Sequence, residues 1–280
     1  MDIDKRCAPG ITFSEGSCYS LESLIKIAYA YNSWILNNNI DDIPIKIKHD
    51  KQYLINCISS KINNCSNQKC WLNQPFASLI NDENITQYTF RPDGPQGQFT
   101  WLSTTNIIDI MSQYEHQYKD FLFLGAVPID FYSLRQLNIP SSYNDFDGLY
   151  KNDFKKIGIV FNLDEHWQTG SHWTASYVDF DKKQVYYYDS ISTKPERRIK
   201  TFLAKCIKFI CKIHKCNIDL IDISHNPLQH QYGNSECGVY SCNFIIRLLN
   251  GENYHDIIVN KLSDDSINQC RKVYFSNLNF

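Results

Sequence analysis

Residues 172–190 read HWTASYVDFDKKQVYYYDS, and this stretch decides how the chain is expected to fold. Two runs rich in β-branched and aromatic residues, 173–180 and 184–188, flank a charged break at Asp181–Lys183. Such runs read as the two strands of a hairpin. Folding back at the break sets the end of the second strand beside the start of the first. His172 and Asp189 then come within hydrogen-bonding reach. Asp179 and Asp181 read as turn residues.

The pattern extends outward from this hairpin. IGIVF at 157–161 and the stretch Asn217 to Ile223 read as further strands, and FLFL at 121–124 is a short apolar run. Ile107, Ile108, Ile110, Met111 and Tyr114 predict a helix from Asn106 to about Tyr118. A second helix is expected from Lys194 to about His214. Val239, Cys242, Ile246 and Leu249 step along one face of a third, starting near Cys237. The first 95 residues show no strand-like alternation. There, Leu21, Leu24, Ile25, Ala28 and Tyr29 predict a helix from Ser20 to about Asn37, and a second apolar-periodic stretch runs from Tyr53 to Ile62. The turn-rich RPDGPQG at 91–97 marks a boundary. The expected organisation is a helical N-terminal arm, 1–95, and an α+β domain, 96–280, with a central mixed sheet flanked by helices.

Bulk properties narrow the function classes. A formal net charge of −2 gives no general pull toward nucleic acid. The lysine-rich stretch from Lys194 to Lys215 reads as a solvated helix face. The N-terminal MDIDKRCAPG has no apolar run, and no stretch approaches the ~18 apolar residues of a membrane span. A soluble, intracellular protein without a membrane partner is expected. Its eleven cysteines are expected to be reduced thiols. Cys57, Cys65 and Cys70, like Cys206, Cys211, His214 and Cys216, lack the paired spacing of a structural zinc site, so neither a metal nor another cofactor is expected.

The chemistry concentrates on four residues. Cys237 opens a helix, and a helix N-terminus and a nearby imidazolium both favour the thiolate over the thiol. His172 is the candidate base, and Asp189 would hold its second ring nitrogen. Gln231, six residues before the cysteine, would donate its amide to a tetrahedral oxyanion. Gly238, lacking a Cβ, would let the chain pass close to a bound peptide. His166-Trp167 repeats the His-Trp pair six residues upstream, but in a polar loop-like stretch, so His172 is preferred. Gln229 is the alternative to Gln231, and Cys242 reads as a buried small hydrophobe.

His172-Trp173, Asp189-Ser190 and QYGNSECG at 231–238 together resemble the ubiquitin-like-protein (SUMO-type) cysteine protease family. FNLD at 161–164, TGSHW at 169–173 and NSECGVYS at 234–241 look most like its large-DNA-virus branch, the polyprotein-processing proteases of African swine fever virus and its relatives. CSNQKCW at 65–71 is similar to a stretch of that branch's helical arm. One departure is Asp189, where the viral branch carries asparagine. The resemblance implies a papain-like, adenain-type fold and cleavage after Gly-Gly-type sites in viral structural polyproteins during virion maturation. It also implies residence in the virion and host cytoplasm, at the viral factory. Ubiquitin-like conjugates are the alternative substrate, and a non-catalytic binding module is the third reading. Trp173 reads either as a core residue or, as the resemblance implies, as part of a narrow tunnel for the diglycine.

Overall fold

The structure, a computed structural model, describes residues 6–97 and 99–277. These form two compact units, one running through Asp93 and including Val273–Asn277, the other running from Gly94 to Lys272. The division falls inside the turn-rich 91–97 run, and the last described residues belong with the first unit rather than the second. Ser276 donates its backbone N–H to the carbonyl of Pro92 (2.8 Å), and Asn277 reaches the Asp93 carboxylate (3.0 Å).

The first unit is helical. Helix α1 (Leu21–Asn37) starts where Ser20 accepts a hydrogen bond from the Ser23 N–H, and α2 (Lys51–Lys61) where Asp50 accepts one from Tyr53. Their inner faces bury Leu24, Ile27, Ala28, Tyr31 and Ile35 against Leu54, Ile55 and Ile58. Tyr19 stacks on Trp71 and meets Phe90 edge-on, which closes the core beneath the 3-10 turns at Gln68–Asn73 and Pro75–Leu79. A single turn, α3 (Glu83–Thr86), completes the unit. The expectation of reduced thiols fails here. Cys7–Cys18 and Cys65–Cys70 are disulfides, because short loops bring each pair to Cα separations of 5.4 and 5.5 Å.

The second unit is built on a five-stranded mixed sheet in the order β1 (Phe121–Pro128), β2 (Lys156–Asn162), β3 (Trp173–Asp179), β4 (Gln184–Tyr188), β5 (Asp222–His225). The β1–β2 and β4–β5 pairs are parallel, and β2–β3–β4 is antiparallel. Five consecutive buried residues in β2 reflect cover on both faces. On one face α5 (Tyr143–Lys151) and α6 (Arg197–His214) bury Phe146, Phe202 and Phe209 against Ile157, Ile159, Phe161 and Val185. On the other, α4 (Thr104–Gln117) and α7 (Cys237–Leu249) cover the sheet, with Phe244 stacked on Tyr188 at 4.7 Å. Two short helices, α8 (Tyr254–Val259) and α9 (Asp264–Tyr274), follow.

This is the expected α+β layout, with local differences. The 121–124 run extends to Pro128 because a bulge between Phe123 and Ala126, at Gly125 with φ 115°, re-aims the strand without ending it. The helix expected from Lys194 begins at Arg197, since Pro195 disfavours a helical Lys194 and Glu196 caps the first turn. The expected strand from Asn217 to Ile223 is instead a 3-10 turn, Ile218–Leu220, followed by β5. Ile218 and Leu220 are exposed, so no buried face holds them in a sheet.

Candidate active site

The hairpin turns where expected. Asp179 pairs with Gln184, and the Asp179 carboxylate accepts the N–H of Lys182 across the turn (2.9 Å). Lys183 takes a left-handed backbone conformation (φ 57°) there. Asp181 accepts from the Tyr150 hydroxyl (2.6 Å). Both aspartates thus serve the hairpin and its neighbours. At the far end of the two strands, His172 Nε2 lies 2.6 Å from Asp189 Oδ1.

Asp189 is fully buried; Oδ2 has no hydrogen-bond partner among the described residues, and Oδ1 and the backbone hold it in place. Oδ1 also accepts the N–H of Ile191 (3.0 Å). Its backbone N–H donates to Asn226 Oδ1 (2.8 Å), and its carbonyl accepts from Asn226 Nδ2 (2.6 Å). The His172 imidazole is engaged from a second direction by the side chain of Cys237. Since Nε2 is taken by Asp189, Nδ1 is the ring nitrogen left for the sulfur. Burial on its own lowers the imidazole's pKa, but the hydrogen bonds and charges of Asp189 and Cys237 outweigh it and raise the value from 6.5 to about 9.

Cys237 is the first residue of α7 and is 2% exposed. Glu236 precedes it at the cap position, yet its side chain makes no capping hydrogen bond to the first turn. That leaves backbone donors and the positive end of the helix dipole at the sulfur's own residue.

Gln231 is also buried, at 3% exposure. Its Oε1 accepts from the Ser190 hydroxyl (2.6 Å), which orients the amide. Nε2 gives one hydrogen to the Gly233 carbonyl (3.1 Å), so its second remains available. Gln229 is exposed and spends its amide on the Gln231 carbonyl (2.8 Å). Cys242 is fully buried on α7, and burial pushes its thiol well above the ordinary value.

The second His-Trp pair has its own carboxylate. His166 Nδ1 sits 2.6 Å from Asp130 Oδ2, a residue that sequence reading passed over. Burial alone would raise the Asp130 pKa, but the His166 hydrogen bonds outweigh it and the value falls. His166 lines a groove of about 550 Å³, together with Trp101, Leu102, Asn162 and Thr169. Trp173 closes one end of the groove, donating its indole N–H to the Leu102 carbonyl (2.9 Å). Trp101, 45% exposed, overhangs it. A tryptophan just before the capping box of α4 (Ser103 with Asn106) is the sequence signal that would have pointed there. Gly238 has a more local reason than the one expected. A Cβ there would lie 3.0 Å from Leu102 Cβ and 3.3 Å from Trp173 Cδ1, so glycine lets α7 start against the groove wall.

Comparison with known proteins agrees with this architecture. The profile of the Ulp1 protease family, C-terminal catalytic domain, matches residues 149–278. A protein of Acanthamoeba polyphaga mimivirus, named for the thiol proteases, is 36% identical over 276 residues, 93% of this chain and 89% of its own length. The SUMO-1 cysteine protease of African swine fever virus (isolate Pig/Kenya/KEN-50/1950) is 22% identical over 229 residues, 75% of this chain and 83% of the relative. The crystal structure of the African swine fever virus protease superposes with a TM-score of 0.66 at 19% identity, covering 96% of this chain and 95% of that one. The mixed sheet with its flanking helices is thus the cysteine-protease core that the motifs implied. By this sequence kinship over nearly its whole length, the chain belongs to the Ulp1 protease family.

Proposed function

We propose that Cys237, His172 and Asp189 form the catalytic triad of a cysteine endopeptidase that cuts viral structural polyproteins after Gly-Gly-type sites during virion maturation. The observation that carries this reading is the placement of one imidazole between a buried carboxylate at 2.6 Å and a thiol at the start of a helix. With its pKa at about 9, His172 is protonated at neutral pH, and an imidazolium beside a sulfur favours the attacking form.

The sulfur attacks the scissile carbonyl carbon, and the C=O electron pair moves onto oxygen. That oxyanion takes hydrogen bonds from the Cys237 N–H and the Gln231 amide. His172 gives its proton to the amine nitrogen as the C–N bond breaks, leaving a thioester. Water then attacks the thioester carbon and yields a proton to His172, and the thiolate departs with the S–C bonding pair. Asp189 keeps Nε2 protonated throughout and offsets the imidazolium charge. Trp173 and Gly238 shape the approach for two residues without side chains.

Residues 1–95 act in this reading as an arm that helps to bind substrate or to place the enzyme in the particle. Work would take place in the virion and in the viral factory of the host cytoplasm. Among the described residues no helix is long and apolar enough to cross a membrane, and no nucleic-acid partner is invoked.

A second reading keeps the chemistry and changes the substrate to SUMO- or ubiquitin-like conjugates. The family profile and the name carried by the African swine fever virus relative favour it. Incubating wild type and Cys237→Ala with capsid precursors, Gly-Gly-X peptides, SUMO conjugates and diubiquitin separates the two. The first predicts Gly-Gly cuts in the precursors that vanish in the variant. Turnover of conjugates alone would transfer the assignment to the second.

A further inference from the structure

Three polar residues of α9, Asp264, Asn268 and Arg271, stand four and three residues apart and therefore on one face of the helix. All three grip the loop that leads into Cys237. Asp264 Oδ2 accepts the N–H groups of Tyr232 (2.9 Å) and Gly233 (2.7 Å). Asn268 Nδ2 donates to Glu236 Oε1 (3.0 Å), while Asn268 Oδ1 accepts from Arg271 Nε (2.9 Å). Arg271 Nη2 donates to the Ser235 carbonyl (3.0 Å). The loop closes tightly on the carboxylate, since a Cβ at Gly233 would lie 2.5 Å from Glu236 Oε2.

We infer that this α9 stripe is positioning machinery, which holds the Glu236 carboxylate away from the amino end of α7 so that the oxyanion donors and the Cys237 sulfur stay free of it. An acidic residue at a cap position ordinarily turns its oxygens onto the N–H groups of the first turn. Glu236 does not. Its oxygens are taken by the Ser235 N–H (2.9 Å), the Ser235 hydroxyl (2.8 Å) and Asn268. Released, the carboxylate would occupy the oxyanion donors and set a negative charge beside the thiolate. Arg271 counters that charge from below. Its guanidinium is 1% exposed, lies within electrostatic reach of Glu236, Cys237 and Cys242, and leaves Nη1 without a hydrogen-bond partner among the described residues. A buried guanidinium with an unpaired nitrogen is a weak device for stability alone. It makes sense as a fixed positive charge under a nucleophile. His172 also engages the sulfur, with Asp189 behind it on Nε2.

The inference rests on the proposed role of Cys237, and its test needs no peptide substrate. The iodoacetamide alkylation rate of Cys237 at pH 7 is measured by peptide mass spectrometry in wild type, Arg271→Met and Asn268→Ala. Melting temperature reports folding. About tenfold slower alkylation is expected in folded Arg271→Met, with a smaller fall in Asn268→Ala. Adding Glu236→Gln to either variant is expected to restore most of the rate, which a purely structural role would not do. If Arg271→Met does not fold, Asn268→Ala with and without Glu236→Gln decides. Unchanged alkylation in folded variants, or loss that Glu236→Gln leaves untouched, overturns the inference. Absence of enhanced reactivity in wild-type Cys237 would instead bring down the triad itself.

Discussion

Asn226 and Asp189 exchange two hydrogen bonds, side-chain oxygen to backbone N–H at 2.8 Å and side-chain nitrogen to backbone carbonyl at 2.6 Å. Both residues are fully buried. The asparagine therefore acts as a substitute strand at the point where β4 ends, and it fixes the carboxylate that holds His172. Asn226→Ala leaves the buried Asp189 N–H unpaired, worth on the order of 1–3 kcal/mol, and strips its carbonyl of one of two donors, the Ser192 N–H (2.8 Å) remaining. The variant is expected to melt several degrees lower and, at a temperature where it remains folded, to lose kcat with KM little changed. Thermal unfolding and steady-state kinetics on a Gly-Gly peptide check this. A fully active, less stable protein would mean that Asp189 needs no such support.

The His172 pKa yields a second prediction, with a definite sign. Burial lowers it, and Asp189 and Cys237 raise it, for a net value of about 9. Removing the thiol in Cys237→Ala is expected to bring the imidazole down from about 9. Removing the carboxylate as well, in Asp189→Asn with Cys237→Ala, leaves burial dominant and is expected to take it below 6.5. NMR titration of the ring protons reads both. Because the folded value is raised, the linked stability is whole below 6.5 and is lost as pH rises through about 9. Denaturant midpoints should therefore fall across that window in wild type. In the double variant this contribution reverses sign, costing stability as the pH drops through 6.5 and below.

Much of this site was legible because its parts are local. The hairpin from Trp173 to Tyr188 reads from strand-forming runs around a charged break, and the antiparallel pairing that sets Ala175 opposite Tyr188 brings His172 and Asp189 together. Strand formers after His172 and polar residues around His166 separate the two His-Trp pairs. The supporting shell was not legible, for physical reasons. Asp264, Asn268 and Arg271 are polar residues at helical spacing, the usual mark of a solvated face, and only the tertiary fold turns that face inward. Asn226 lies in a connecting stretch with no periodicity to betray its burial. Trp101 is far from the motifs in sequence and reaches the groove only through the packing of α4, and Asp130 meets His166 only through the bend after β1. The N-terminal disulfides ran against a correct general rule about thiol redox state, because pairing depends on geometry that spacing does not encode.

Gln231 and Ser190 make a coupled pair whose roles differ in size. The amide is buried, and its oxygen is held by the Ser190 hydroxyl at 2.6 Å, which commits the nitrogen to donation. Gln231→Ala removes the proposed oxyanion donor and is expected to lower kcat by roughly 100- to 1,000-fold, about 2.7–4 kcal/mol. Ser190→Ala leaves the donor in place but frees the amide to rotate, so a fall of several-fold is expected. In a Gln231→Ala background, Ser190→Ala should add almost nothing. A double-mutant cycle on kcat measures the coupling, and additive losses would mean that Ser190 acts by another route.

The cysteines give the last test, and it bears on the N-terminal unit. Four are bonded as Cys7–Cys18 and Cys65–Cys70, both in that unit, and seven are free thiols. Closing the 11-residue separation of the first bridge removes unfolded-chain entropy worth about 3 kcal/mol, the shorter second loop somewhat less. Alkylation of the denatured, unreduced protein is expected to label seven cysteines, and after reduction all eleven in the chain. Reduction should lower the melting temperature of residues 6–93 and leave the sheet-containing unit unaffected, since that unit holds neither bridge. The same treatment keeps Cys237 reduced, as its proposed role requires. A reducing assay is therefore expected to preserve turnover of short Gly-Gly peptides while weakening whatever the first unit contributes to large substrates. Comparing the two substrate classes with and without reductant measures that contribution directly. Equal losses on both would tie the bridges to the chemistry itself.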